Sequence, residues 1–156
     1  MQGHERRLSA AQGYADLGML EEAIEELDGI PSEFQERPET LEIRLLVMMR
    51  GKLWESALEI GRKLTRLYPH QPAGFIHAAF CLHELGDTLA AKQILMKGPP
   101  SIVNEPTYYY NLACYEAILG NREAAVKSLN QSFKIDKKFR EFAKSDPDLD
   151  CIRGLI

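Results

Sequence analysis

Tyr110-Asn111-Leu112-Ala113-Cys114-Tyr115, followed by Leu119-Gly120-Asn121 and then Ala125, decides the fold. Leu112, Tyr115 and Leu119 stand at helical spacing. Gly120 then supplies the residue that tolerates the left-handed conformation in which helices commonly end. The same order stands 34 residues earlier, with Ala79, Leu85-Gly86-Asp87 and Ala91 in the corresponding places. That step runs through the chain. It links Ala23, Ala57, Ala91 and Ala125; Ala11, Leu45, Ala79 and Ala113; and Leu27, Gly61, Leu95 and Leu129. It also links Arg7, Leu41, Phe75 and Tyr109, and Pro38, Pro72 and Pro106, while Gly18, Gly51, Gly86 and Gly120 keep it to within one residue. A fixed period of this length marks a repeat architecture, in which each unit buries an apolar face against its neighbour.

Each unit reads as two helices joined by a tight turn. Proline fits the first helical position, where its missing N–H costs nothing. The periodicity predicts helix pairs over 4–17/20–29, 38–50/53–67, 72–85/88–97 and 106–119/122–135. Alanine on both helices of a pair lets the backbones approach toward the short end of the ~8–10 Å range. Leu45, where other units have alanine, reads as a large-for-small exchange against Gly61, which would conserve volume. Beyond the last pair, residues 137–145 have a two-sided character suited to a cap, with Phe139, Phe142 and Ala143 as the apolar side. Asp146-Pro147 reads as a helix cap and first residue, placing Leu149 and Ile152 inward.

These columns resemble the tetratricopeptide repeat. The resemblance rests on Leu41/Phe75/Tyr109, Ala79/Ala113, Gly86/Gly120, Ala91/Ala125 and Pro69, and covers residues 4–138. The units implied are about 4–37, 38–71, 72–105 and 106–138, with 139–156 as a capping helix and tail. The first unit departs, with Arg7 at the usual aromatic position and Gln35 where proline is expected. The segment Ser145-Asp146-Pro147-Asp148-Leu149-Asp150 is similar to those that follow the last repeat in many bacterial members.

The resemblance implies an all-α superhelix whose first helices line a concave groove. Groove positions are then Gln12, Glu42, Leu46, Met49, Ile76, His77, Phe80, His83, Tyr110 and Asn111. Members that grip a chaperone's C-terminal carboxylate use Lys, Asn, Asn, Lys and Arg. The matching positions here read Leu8, Gln12, Ile43, Ala73 and His77, or Glu42, Leu46, His77, Thr107 and Asn111, depending on the starting unit. Neither frame supplies paired cations, so that function is not expected. Leu46, Met49, Ile76, Phe80 and Tyr110 would instead form an apolar interaction patch. His77 and His83 beside it would weaken an apolar client once charged below pH ~6.5.

Composition narrows the function classes. The chain has 156 residues, 45% apolar and 27% charged, with a net charge of −4, which places it among ordinary globular proteins. Residues 1–59 carry 13 acidic against 6 basic residues, and residues 60–144 carry 7 against 12. The basic stretch from Lys134 to Lys144 is interrupted by Asp136 and Glu141 and makes no nucleic-acid footprint. No apolar run approaches the ~18 residues of a membrane span, and no secretory signal is visible at the start. Three cysteines, Cys81, Cys114 and Cys151, never in a Cys-x-x-Cys pair, suit reduced thiols in a cytoplasm.

Catalytic motifs are lacking: there is no phosphate-binding glycine loop and no Gly-x-Ser-x-Gly elbow. His77, Cys81 and Glu84 share a helix face and are ligand types that zinc accepts. Histidines and a small cysteine are nevertheless ordinary on a half-buried helix, and no fourth ligand can be named. No metal or cofactor is therefore expected. The expectation is a non-catalytic adaptor that binds a peptide or partner protein, with oligomeric state open. The alternatives are a type III secretion-type chaperone holding an unfolded client, and the docking domain of a larger enzyme or sensor.

Overall fold

Pro38, Pro72 and Pro106 each open a helix, as their fixed φ and missing N–H favour. In the computed structural model, which describes residues 3–156, nine α-helices follow one another. They are α1 Gly3–Asp16, α2 Leu20–Asp28, α3 Pro38–Arg50, α4 Trp54–Leu67, α5 Pro72–Glu84, α6 Thr88–Met96, α7 Pro106–Ile118, α8 Arg122–Ile135 and α9 Phe139–Ser145. Short 3₁₀ turns follow α2 and α6, at Ser32–Phe34 and Pro100–Asn104, and a 3₁₀ tail, Pro147–Leu155, ends the chain. No strand occurs among the described residues. Helices pair in sequence order, and each pair packs mainly on the next, as a solenoid must. The expected helices are found within about one residue at each end. The two intermediate 3₁₀ turns are additions, set where Gly29-Ile30-Pro31 and Gly98-Pro99-Pro100 stop α2 and α6 short.

The repeated small residues are the core. Ala11, Ala23, Ala57, Ala79, Ala91, Ala113 and Ala125 are all fully buried, as are Leu27, Leu45, Leu95 and Leu129. Arg7, the outlier in its column, is exposed at the outer end of the solenoid, pairs with Glu26 at 3.2 Å and lies over Gly29.

The turn within each pair is one geometry used four times. Met19, Leu53, Asp87 and Asn121 donate their N–H to the carbonyls of Tyr14, Met48, Leu82 and Glu116 at 2.8–2.9 Å. This is the six-to-one bond of a Schellman ending, which needs a left-handed residue just before the donor. Gly18, Gly86 and Gly120 fill that place, with φ of 76°, 91° and 85°. In the second unit Lys52 fills it, at φ 56°, and not the near-register Gly51. A Cβ on Gly51 would meet the terminal methyls of Leu20, at 2.6 and 3.0 Å.

Gly61 likewise does not compensate for Leu45. A Cβ on Gly61 would stand 3.0 Å from Cβ of Ala78, and one on Gly74 would stand 2.8 Å from Cβ of Leu64. The two glycines lie on either side of the α4–α5 crossing and let those backbones come close.

Candidate interaction face

The 34-residue register carries a second consequence, on the face formed by α1, α3, α5 and α7. Gln12, Leu46, Phe80 and Cys114 are one row of equivalent positions, and Ala15, Met49, His83 and Ala117 are the next. The rows run along the concave face. The chain treats their two halves differently.

The C-terminal half is covered by the chain's own tail. Tyr110 donates its hydroxyl to Asp146 at 2.7 Å, and the thiol of Cys114 donates to the same carboxylate at 3.7 Å. His83 Nε2 lies 2.7 Å from Asp148, and Cys151 donates to the carbonyl of Ala117 at 3.5 Å. Leu149 and Ile152 of the tail, which packs on α7 and α8, are fully buried, as their pattern requires. Asp146 caps the 3₁₀ segment by accepting from the N–H of Asp148. Arg153 ties the tail to α9 by donating to the carbonyls of Ala143, Lys144 and Asp146. Phe139 of α9 packs on Tyr110 with ring centroids 4.9 Å apart.

This cover sets the electrostatics. Burial, then the bond to Asp146, pushes the Tyr110 hydroxyl far above its ordinary value. Burial does the same to the thiol of Cys114, with Asp146 and Asp148 adding to it. The hydrogen bond to Asp148 raises His83, against the opposing pull of burial. The imidazole's Nδ1 sits 2.9 Å from Thr88 Oγ1, so both ring nitrogens are engaged.

The N-terminal half is open. A hollow of about 310 Å³ is lined by Gln12, Ala15, Asp16, Ile43, Leu46, Val47, Met49, Arg50, Trp54 and Phe80. Its floor is apolar, with Trp54 packed against Phe80 at 5.7 Å. Asp16 and Arg50 form an ion pair at 2.9 Å on its margin. Along α3 the same face continues through Glu42 to Glu39, one and two turns before Leu46. Glu42 is half-buried, and burial, together with the neighbouring Glu39, raises its carboxyl above the ordinary range.

The expected groove residues therefore divide. Gln12, Leu46, Met49 and Phe80 line the open hollow, and Glu42 flanks it. His77 is half-buried on α5, where burial lowers its imidazole. Tyr110 is no exposed anchor, since the tail and Phe139 bury it, and Ile76 and Asn111 are buried as well. His83 does not border an open apolar centre but holds the tail. Phe142, expected inward, is 58% exposed, because α9 turns Ala143 and Phe139 toward the core instead. Trp54 was missed in the sequence because it belongs to a second helix, outside the repeating first-helix positions. The tail's place in the groove was also missed. Its apolar residues signalled burial but not the surface they would cover.

His77, Cys81 and Glu84 do not converge: Cys81 is fully buried and Glu84 is exposed. Burial, with Glu84 nearby, pushes the Cys81 thiol up to about 11. Among the described residues, the ligand-type atoms that do gather are those of Cys114, Asp146 and Asp148, within 4.8 Å of one another. Each already has a protein partner, and the set serves as the anchor of the tail. Among the same residues, no helix is long and apolar enough to cross a membrane.

Residues 106–139 match the tetratricopeptide repeat family. No curated protein matches the chain significantly. Solved structures do resemble it. The crystal structure of TTC0263, a thermophilic tetratricopeptide-repeat protein of Thermus thermophilus, is 20% identical, with a TM-score of 0.78 over 95% of this chain and 85% of that one. The MamA RS-1 ArsTM double mutant is 14% identical, with a TM-score of 0.74 over 92% and 81%. MamA MSR-1 C2 is 15% identical, with a TM-score of 0.68 over 87% and 78%. Residues 106–139 thus belong to the tetratricopeptide-repeat family, and the chain as a whole has the fold of tetratricopeptide-repeat proteins.

Proposed function

We propose that the chain is a non-catalytic protein-interaction module that takes a segment of a partner protein into the open N-terminal half of its concave face. The observation that carries this reading is the hollow itself. It collects Leu46, Met49, Trp54 and Phe80 in one recess, and such gathered apolar surface marks interaction sites. Aromatic residues and methionine are enriched where interfaces are most buried. The tail supports the reading from the other side, since the same rows of positions already accept a polypeptide in their C-terminal half.

On this reading Leu46, Met49 and Phe80 are the anchors, with Gln12 and Trp54 as walls. The test is to recover a partner by affinity capture and titrate it against variants of the full chain. Leu46→Ala and Phe80→Ala should each weaken binding by about 1–3 kcal/mol. Arg62→Ala, exposed on α4, should leave it unchanged. The opposite pattern would place the partner on the convex side.

A further inference from the structure

One and two turns before Leu46, which lines the hollow, α3 carries an acidic pair with no counter-charge, Glu42 and Glu39. Asp16 is matched by Arg50, but among the described residues neither Glu39 nor Glu42 has an ion-pair or hydrogen-bond partner. Glu42 is half-buried, with Glu39 as its charged neighbour. A half-buried carboxylate beside a second one is an unfavourable arrangement for the fold alone. It sits one turn from Leu46 on the same helix face. The surroundings add to it, since residues 1–59 carry 13 acidic against 6 basic residues.

We infer that the partner segment carries a lysine or arginine close to its apolar anchor, and that Glu42, with Glu39, receives that cation while the anchor fills the hollow. The inference rests on the interaction-module reading above. The spacing follows from α3. Glu42 precedes Leu46 by four residues and Met49 by seven, which at 1.5 Å per residue is about 6 and 10 Å. An extended partner at about 3.3 Å per residue spans this in two or three residues. A helical partner spans the shorter distance in about one turn. Charge complementarity also separates the two occupants of the face. The tail, with Asp146, Asp148 and Asp150, is acidic and seats against His83 and Tyr110, whereas the open half suits a segment of opposite charge.

The experiment is selection of a random dodecapeptide display library on the full-length protein, followed by affinity measurement on wild type and variants. Enriched peptides should carry Lys or Arg two to four residues from Leu, Met, Phe or Trp. Their affinity should fall roughly tenfold or more on Glu39→Gln/Glu42→Gln, and Glu42→Lys should shift selection toward acidic peptides. The Gln pair should leave the melting temperature unchanged or raised, because an uncompensated charge is removed, so loss of binding is not loss of fold. Peptides that depend on Leu46 and Phe80 but show no cation bias and ignore the Gln pair would overturn this inference and leave the groove reading standing. Peptides indifferent to Leu46 and Phe80 as well would overturn both.

Discussion

The hydroxyl of Tyr110 donates to the carboxylate of Asp146 at 2.7 Å, across 36 residues of chain. It thereby turns a position of the concave face into a fastening for the tail. If that fastening and the burial of Leu149 and Ile152 are structural, removing them must cost stability. Leu149→Ala and Ile152→Ala should each cost about 2–5 kcal/mol. Tyr110→Phe should cost about 1.5–3 kcal/mol, the range for a hydrogen bond to a charged group. Urea denaturation reads all three. Truncation after Asp136 should yield an aggregating protein, since it uncovers the apolar end. Wild-type stability in these variants would show that the tail is merely appended.

The two groove-side histidines should bend the pH dependence in opposite directions. His83 is raised in the fold, chiefly by its bond to Asp148, with Glu84 and Asp146 adding to this. Its stabilisation is therefore complete below the unfolded value near ~6.5 and is lost as pH rises through the folded value. His77 is lowered by burial, so its contribution is complete above ~6.5 and is lost as pH falls. Asp148→Asn should flatten the decline in stability as pH rises above about 6.5, and His77→Gln the decline as it falls below about 6.5. Denaturation midpoints on either side of that pH check both. An unchanged profile for Asp148→Asn would remove His83 from the account.

Lys52 stands in the left-handed place that glycine holds in the other three units. A side chain there costs about 1–2 kcal/mol, partly offset by the entropy that glycine loses on folding. Lys52→Gly should therefore stabilise the protein by about 0.5–1 kcal/mol, whereas Gly86→Ala should destabilise it by about 1–2 kcal/mol. Thermal melts of the pair test the assignment.

A single substitution should change sign with position. Gly13 lies within α1, and a Cβ on it would meet nothing within 4 Å. Gly13→Ala should gain about 0.5–1 kcal/mol of helix propensity. Gly74→Ala puts a Cβ 2.8 Å from Cβ of Leu64 and 3.0 Å from the backbone nitrogen of Thr65, and should cost about 1–3 kcal/mol. Equal effects would mean the α4–α5 crossing is not as tight as described.

The alanine columns were legible as core because a period of 34 leaves only the faces between helices for small residues repeated in phase. Helix ends were legible from Pro38, Pro72 and Pro106 and from the glycines. The site was less so. Its positions recur in every unit, and a repeat pattern states which residues share a face without stating what covers it. Tyr110 and Phe80 read alike in sequence, both aromatic and both at first-helix groove positions of adjacent units. Only the return of Asp146 and Asp148 onto α7 and α5 separates them. Gly61 misled for a related reason, since its neighbour, Ala78, lies in the next unit and outside its own column.

Trp54 is the chain's single tryptophan, and it lines the open hollow against Phe80. Its fluorescence therefore reports on the face proposed to bind a partner when the titrated peptide itself carries no tryptophan. The decisive measurement is a titration of a selected peptide followed by Trp54 emission, on wild type and on Leu46→Ala. Desolvation of the hollow should shift the emission to the blue saturably, and the shift should move to higher peptide concentration in Leu46→Ala. Saturable binding of the same peptide, seen by calorimetry, with Trp54 emission unmoved would contradict the account.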